Sequence, residues 1–443
     1  MRQRDIFWFW LPLFASWLLM TAEGPFVTAI INRLPNEVVM LAAQGIVVSL
    51  AVTIESPIIN LLATSTALVN DRASYLMVRR FTIHWMILLT VVAALLAFTP
   101  LFDLVVNEWL DTPAEVAAWV RPGLQIMVFW SAAIAWRRFL QGVLIHFDRT
   151  RKVAWGTVVR LISSAGTALA LGLWSGWPGV VIGGSALMAG VIFEALYATL
   201  AVRPLLHNEL APGSAAAENS PLTYNELFWF HLPLAATSLL TLLAQPLVTF
   251  SLARLDEPTR SLAAWPVVFQ IMLMARAAAF AWPEVVIALS KGKENFAAIR
   301  LFSYRLAAVL TVLMALFVFS PLASLYLFGV QDMTQPVGEL ALSSLPLFLL
   351  FPALAVITSW LRGLLIKQRV TREVNVGMAI NLTITAVVLG LGLLWQLPGL
   401  PTAAVALNIA SLAEVVYLLW RSRRVLTIGL PLLRSLQPEP GAS

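Results

Sequence analysis

Apolar runs close to the roughly 20 residues that cross a bilayer as a helix alternate along this chain with short polar stretches. They read as 7–31, 38–62, 81–106, 119–145, 153–175 and 179–202, then as 227–252, 261–288, 301–328, 338–366, 373–396 and 400–420. The pattern predicts an all-α polytopic membrane protein of twelve transmembrane helices, six in each half. The first run is long for a cleaved signal peptide. Its copy lies mid-chain, where it cannot be cleaved, so both read as retained spans.

The halves repeat at a constant offset of 221 positions. Phe7-Trp8-Phe9-Trp10-Leu11-Pro12-Leu13 returns as Phe228-Trp229-Phe230-His231-Leu232-Pro233-Leu234. The same offset carries Pro25 onto Pro246, Arg33 onto Arg254, Pro100 onto Pro321 and Gly142 onto Gly363. Near the end it slips to 220, with Glu194 and Tyr197 answered by Glu414 and Tyr417. An even number of spans per half makes the repeats parallel, an arrangement that in membrane chains points to a transporter with its site between the halves. The expected organisation is an N-terminal lobe over 1–205, a linker over 206–226, a C-terminal lobe over 227–424 and a tail over 425–443. The linker centres on the small residues of 211–217, which suit a flexible tether.

Composition sharpens the class. Hydrophobic residues make up 60% of the chain and charged residues 12%, about half the ~25% of a soluble domain. The absence of cysteine excludes disulfides, thiolate metal sites and a cysteine nucleophile. A net charge of +6 does not indicate nucleic-acid binding, because the basic residues sit in short loops. Of the 29 basic residues, 19 fall on the side holding both termini and four (Arg33, Arg121, Arg254 and Arg260) on the other. The positive-inside rule then places both termini in the cytoplasm of a multi-pass plasma (inner) membrane protein.

Six arginines fall within apolar spans: Arg137, Arg138, Arg160, Arg276, Arg305 and Arg362. Five acids join them: Glu23, Glu55, Glu194, Glu284 and Glu414. Each costs ~3 kcal/mol or more near the bilayer centre and needs a partner or a wet cavity. Arg137, Arg138 and Arg305 lie close enough to an interface to snorkel. Glu194 and Glu414 share one repeat position, which suits a buried pair inside each lobe, and Arg160, matched by Asn381, suits packing within its lobe. Glu55 and Arg276 also share a repeat position, so one half offers a carboxylate where the other offers a guanidinium. They read either as a constitutive salt bridge or as a coupling or gating acid facing a bidentate anion site. Glu23, in Thr21-Ala22-Glu23-Gly24-Pro25, reads either as a proton or cation site beside a helix break or as a partly solvated acid at a kink. Its counterpart region holds Gln245-Pro246.

The four histidines do not cluster, and no Walker loop, nucleotide fingerprint or nucleophile elbow is present. The expectation is therefore no enzyme and no cofactor. Transport would be driven by a gradient, with a proton or sodium as coupling ion, in a monomer.

Proline-broken first helices preceded by aromatics resemble the multidrug/oligosaccharidyl-lipid/polysaccharide (MOP, MATE-like) exporter superfamily. The Leu68-Val69-Asn70-Asp71-Arg72 loop lacks the glycine of the major facilitator signature. Within the superfamily the chain is similar to the progressive ankylosis family through Met40-Leu41-Ala42, Gly45, Ser49-Leu50, Pro57, Asp71-Arg72, Ala135-Trp136 and Gly142-Val143-Leu144-Ile145. Pro233-Leu234, Pro246-Leu247-Val248 and Arg254 extend the similarity into the second half. The resemblance implies export of small organic anions through a cleft lined by helices 1, 2, 7 and 8. The family carries a basic residue near the proline of helix 7, where this chain has Gln245. Arg276 is then the nearest basic candidate, with Gln245, Arg362 and Arg138 as further substrate contacts and Glu23 and Glu55 as coupling or gating acids. A cation-exporting multidrug antiporter and a flippase for lipid-linked oligosaccharides are the rival transporter readings, and a membrane-embedded glycan-processing enzyme the rival of another class.

Overall fold

The structure, a computed structural model, describes residues 2–210, 222–290, 293–368 and 370–428. The centre of the expected linker and most of the expected tail lie outside them. The first half comprises α1 (Gln3–Ile31), α2 (Glu37–Glu55), α3 (Leu61–Leu68), α4 (Arg72–Phe98), α5 (Ala114–Ile126), α6 (Trp130–His146), α7 (Thr150–Trp174) and α8 (Gly179–Asn208). The second comprises α9 (Tyr224–Leu242), α10 (Ala244–Leu252), α11 (Pro258–Phe280), α12 (Trp282–Leu289), α13 (Lys293–Phe319), α14 (Pro321–Ser324), α15 (Gln335–Ser344), α16 (Phe351–Lys367), α17 (Thr371–Leu394) and α18 (Gly399–Ile428).

Among the described residues ten helices are long and apolar enough to span a membrane, or eleven if the bent pair Gln335–Phe348 and Phe351–Lys367 is one span. The remaining expected span, 119–145, is helical as α5 and α6 on either side of a 3-10 turn at Met127–Phe129. It carries Arg121, Arg137 and Arg138, and its two helices, of 13 and 17 residues, are each shorter than the roughly 20 that cross a bilayer.

Local chemistry repeats with the sequence. Thr99 precedes Pro100 and Ser320 precedes Pro321. Both are extended (φ −117°, ψ 173° and φ −109°, ψ 171°), as the proline ring demands of its predecessor. A π-helical turn follows in each half, Asp103–Trp109 and Leu325–Val330. Residues in the left-handed region also recur at matched loops: Asn36 and Glu257, Asp111 and Asp332. The proline of the first span behaves differently in the two halves. The chain breaks at Leu243, just before Gln245-Pro246, but α1 runs unbroken through Pro25. There the Gln331 amide donates to the Pro25 carbonyl at 3.0 Å and the Thr28 hydroxyl to the Gly24 carbonyl at 3.2 Å. Both bonds sit beside the proline, whereas the carbonyl that Pro25 leaves without its helix donor is that of Thr21, one turn earlier.

The halves meet through α1, α2, α9, α10 and α11, and the main buried core is continuous across that seam. At its centre α2 crosses α11. A Cβ on Gly45 would lie 2.8 Å from Pro266, and 45 and 266 are the same repeat position. The pseudo-twofold axis therefore passes through this contact, and only glycine lets the two backbones come so close.

Candidate functional site

Each half buries one charged cluster, built on the same positions. In the first, Glu194 of α8 is 1% exposed and accepts from Arg137 Nη1 at 2.8 Å and from Gln141 Nε2 at 2.9 Å. Arg137 and Gln141 are four residues apart on α6, so one helix face supplies both donors. Arg160 of α7 reaches Glu194 at 3.8 Å and grips Glu23 of α1 through Nε at 2.9 Å and Nη2 at 2.6 Å, both on Oε2. In the second half Glu414 of α18 accepts from Arg362 Nε at 2.8 Å and from Asn381 Nδ2 at 3.0 Å. Arg362 occupies the repeat position of Gln141, and Asn381 that of Arg160. The acid is thus kept in both halves while its donors exchange charge. Glu194 and Glu414 are the buried intralobe pairs that their shared repeat position suggests.

The sequence singles out Glu23 for its place beside Pro25. The structure gives it Arg160 as an ion-pair partner, and its other oxygen, Oε1, has none. A Cβ on Gly190 would meet that oxygen at 2.9 Å, and the nearby Ser164 hydroxyl is also unpartnered.

Glu55 sits at the end of α2, 7% exposed, within the field of Arg138, Arg137 and Arg160. Its Oε2 has no hydrogen-bond partner, and the indole N–H of Trp130 lies near it outside hydrogen-bonding geometry. The Nε atoms of Arg137 and Arg138 are likewise buried and unpartnered. Counting Arg137, Arg138 and Arg160 against Glu23, Glu55 and Glu194, this cluster is formally neutral.

Arg276 is half-buried on α11, with an unpartnered buried Nε. Its guanidinium lies 5.3 Å from the ring centroid of Phe280 and 5.0 Å from that of Phe351. The charges that reach it are those of Arg362 and Glu414. With Arg276 and Arg362 against Glu414 alone, the second cluster carries a net positive charge. Glu55 and Arg276 make no ion pair with each other. Both lie ten residues beyond the Gly45–Pro266 crossing, about 15 Å along diverging helices at ~1.5 Å per residue, and each turns into its own half. Gln245 accepts weakly from the Trp265 indole at 3.4 Å, and Arg305 is exposed.

Arg160, Arg137 and Gln141 complete the first cluster without having been site candidates in the sequence. The signal that finds them is the repeat itself: Gln141/Arg362 and Arg160/Asn381 are polar in both halves. Among the described residues no three His, Cys, Asp or Glu side chains are grouped to hold a metal ion.

No family model matches the sequence, and no curated protein matches it either. Solved structures do match over nearly the whole chain. The inward-facing form of a multidrug resistance MATE family transporter of the MOP superfamily covers 94% of this chain and 96% of its own, with TM-score 0.69 and 13% identity. The lipid II flippase MurJ in an inward closed conformation covers 96% and 94%, with TM-score 0.70 and 12% identity. A MOP superfamily transporter from Pyrococcus furiosus, reported with a binding pocket of reverse polarity, covers 97% and 97%, with TM-score 0.64 and 13% identity. The chain has the fold of these transporters.

Proposed function

We propose that this protein is a secondary active transporter that moves a small organic anion across the membrane by alternating access between its two halves. The observation that carries the reading is Arg276: a guanidinium inside a membrane-spanning bundle, framed by Phe280 and Phe351, with an unpartnered buried Nε and no ion pair among the described residues. Burying such a charge without a partner is costly, and a carboxylate or phosphate on the substrate would repay the cost bidentately. Arg362 extends the positive region, and Arg138 with Gln245 would complete the contacts. Glu55, buried with an unpartnered oxygen among arginines, suits a coupling proton site. Glu23 would join it by letting go of Arg160 when protonated. In this reading both termini face the cytoplasm from a plasma membrane, as the excess of basic residues in the loops on their side favours, with export as the direction and a monomer as the working unit.

A lipid-linked anion is the second reading. An apolar recess of about 520 Å³ between α10 and α17, lined by Leu243, Leu247, Leu382, Thr383, Ala386 and Val387, is large enough for a hydrocarbon chain.

Flux of radiolabelled citrate, malate and ATP into proteoliposomes, with and without a pH gradient, tests the proposal. Wild type should transport at least one of them and Arg276→Ala should lose it. Equal flux in both would remove Arg276 from the site. No flux of any anion by folded protein would move the reading to lipid-linked substrates.

A further inference from the structure

The seam is held at both ends by contacts that obey the pseudo-twofold axis. At the end of the acidic loops, Arg33 Nη2 of the first half donates to the Val330 carbonyl at 2.9 Å and the Gly329 carbonyl at 3.5 Å, with Asp332 at 3.9 Å. Its repeat mate Arg254 donates to the Glu108 carbonyl of the first half at 3.2 Å, with Asp111 at 3.7 Å. Glu108 and Gly329 are equivalent positions, and so are Asp111 and Asp332. Each arginine therefore clasps the last carbonyls of the opposite half's π-helical turn and the left-handed aspartate beyond it.

At the end of the basic loops the same symmetry uses aromatic N–H groups. The Trp10 indole donates to the Ala278 carbonyl at 3.0 Å. Its repeat mate His231 bonds the Pro57 carbonyl through Nε2 at 2.9 Å, and 57 and 278 are again equivalent. A carbonyl only accepts, so Nε2 carries the proton; in the neutral ring Nδ1 then accepts from the Thr64 hydroxyl at 2.9 Å. Asn60 adds bonds to the Leu234 carbonyl and the Ser238 hydroxyl. Reciprocal contacts of this kind define an isologous interface, in which i meets j and j meets i.

We infer that these two pairs are the gates of the molecule: Arg33 with Arg254 shut the acidic-loop end, Trp10 with His231 shut the basic-loop end, and the described structure is shut at both. Access to either side requires release of one pair while the other holds. The inference rests on the transporter reading above and supplies the residues that its cycle must break. Each pair bonds backbone carbonyls of the opposite half, so its two members hold at only one relative position of the halves and are lost together when that end opens.

The chain contains no cysteine, so single thiols can report access directly. Thr249→Cys replaces a buried, unpartnered hydroxyl five residues before Arg254. Ser238→Cys sits on the seam at the other end, opposite Asn60. Labelling by a membrane-impermeant maleimide from each side needs no substrate, so it can fail while anion flux succeeds, or the reverse. Arg33→Ala with Arg254→Ala should raise Thr249→Cys labelling from the acidic-loop side about tenfold, within what two lost hydrogen bonds allow, and leave Ser238→Cys labelling from the basic-loop side no faster. Trp10→Phe with His231→Phe should do the converse. Labelling that rises at both ends together, at the wrong end, or at neither overturns the inference. Arg33 is exposed and Arg254 lies at a loop, so the arginine arm holds even if the buried phenylalanine pair does not fold.

Discussion

At the scale of single residues, burial decides which charges matter. Arg160 and Arg305 look alike in sequence, each an arginine inside an apolar run. The structure gives Arg160 two carboxylates and leaves Arg305 exposed. Arg160→Leu strands Glu23 and weakens the hold on Glu194, and should lower stability by about 3–5 kcal/mol. Arg305→Leu should change it by less than about 0.5 kcal/mol. Thermal unfolding of the two variants in one detergent checks the contrast. The same scale explains why Glu194 and Glu414 could be read as structural: an acid retained through duplication, with donors that vary around it, is held by its place in the fold.

At the scale of elements, caps and breaks set where helices start and turn. Asp71 caps α4, accepting from the Ser74 amide at 2.7 Å and from its hydroxyl at 2.7 Å. These bonds, the Ser74 hydroxyl's first, hold its carboxyl below the ordinary 3.8. A group whose pKa is depressed by folding contributes stability above its unfolded pKa and loses it as pH falls through the folded value. Asp71→Ala should therefore cost about 1 kcal/mol at pH 7, and the gap from wild type should close in acid below the folded pKa. Melting curves across that range measure it. The proline positions themselves were legible, but the breaks before Pro100 and Pro321 were not, since the apolar runs 81–106 and 301–328 pass through them. Nor was the continuity of α1 through Pro25: a proline marks a possible break, and only the folded helix, with the Gln331 amide of the other half on the Pro25 carbonyl, shows it unbroken.

At the scale of the whole molecule, the seam and its axis set how the two halves meet. At Gly45 the backbones of the two halves come close, 2.8 Å from Pro266 for an added Cβ. Gly45→Val should force the helices apart, cost about 1–3 kcal/mol by overpacking, and raise maleimide access to both reporter thiols together. That pattern differs from the one-sided effect of releasing either gate pair, so the labelling experiment separates a wedge from a latch.

The sequence alone determined the all-helical membrane class, the repeat at its fixed offset, and the paired positions of Glu194 and Glu414. These follow from hydrophobicity and register, which are local or repeat with a fixed offset. Only the tertiary structure decided that Arg160 belongs to Glu23, that Glu55 and Arg276 turn away from each other, and that Trp10, His231, Arg33 and Arg254 close the seam. A charge inside a bilayer must find a partner, but composition does not say which. The crossing of α2 and α11 fixes how the two halves face one another, and with it every contact that spans them.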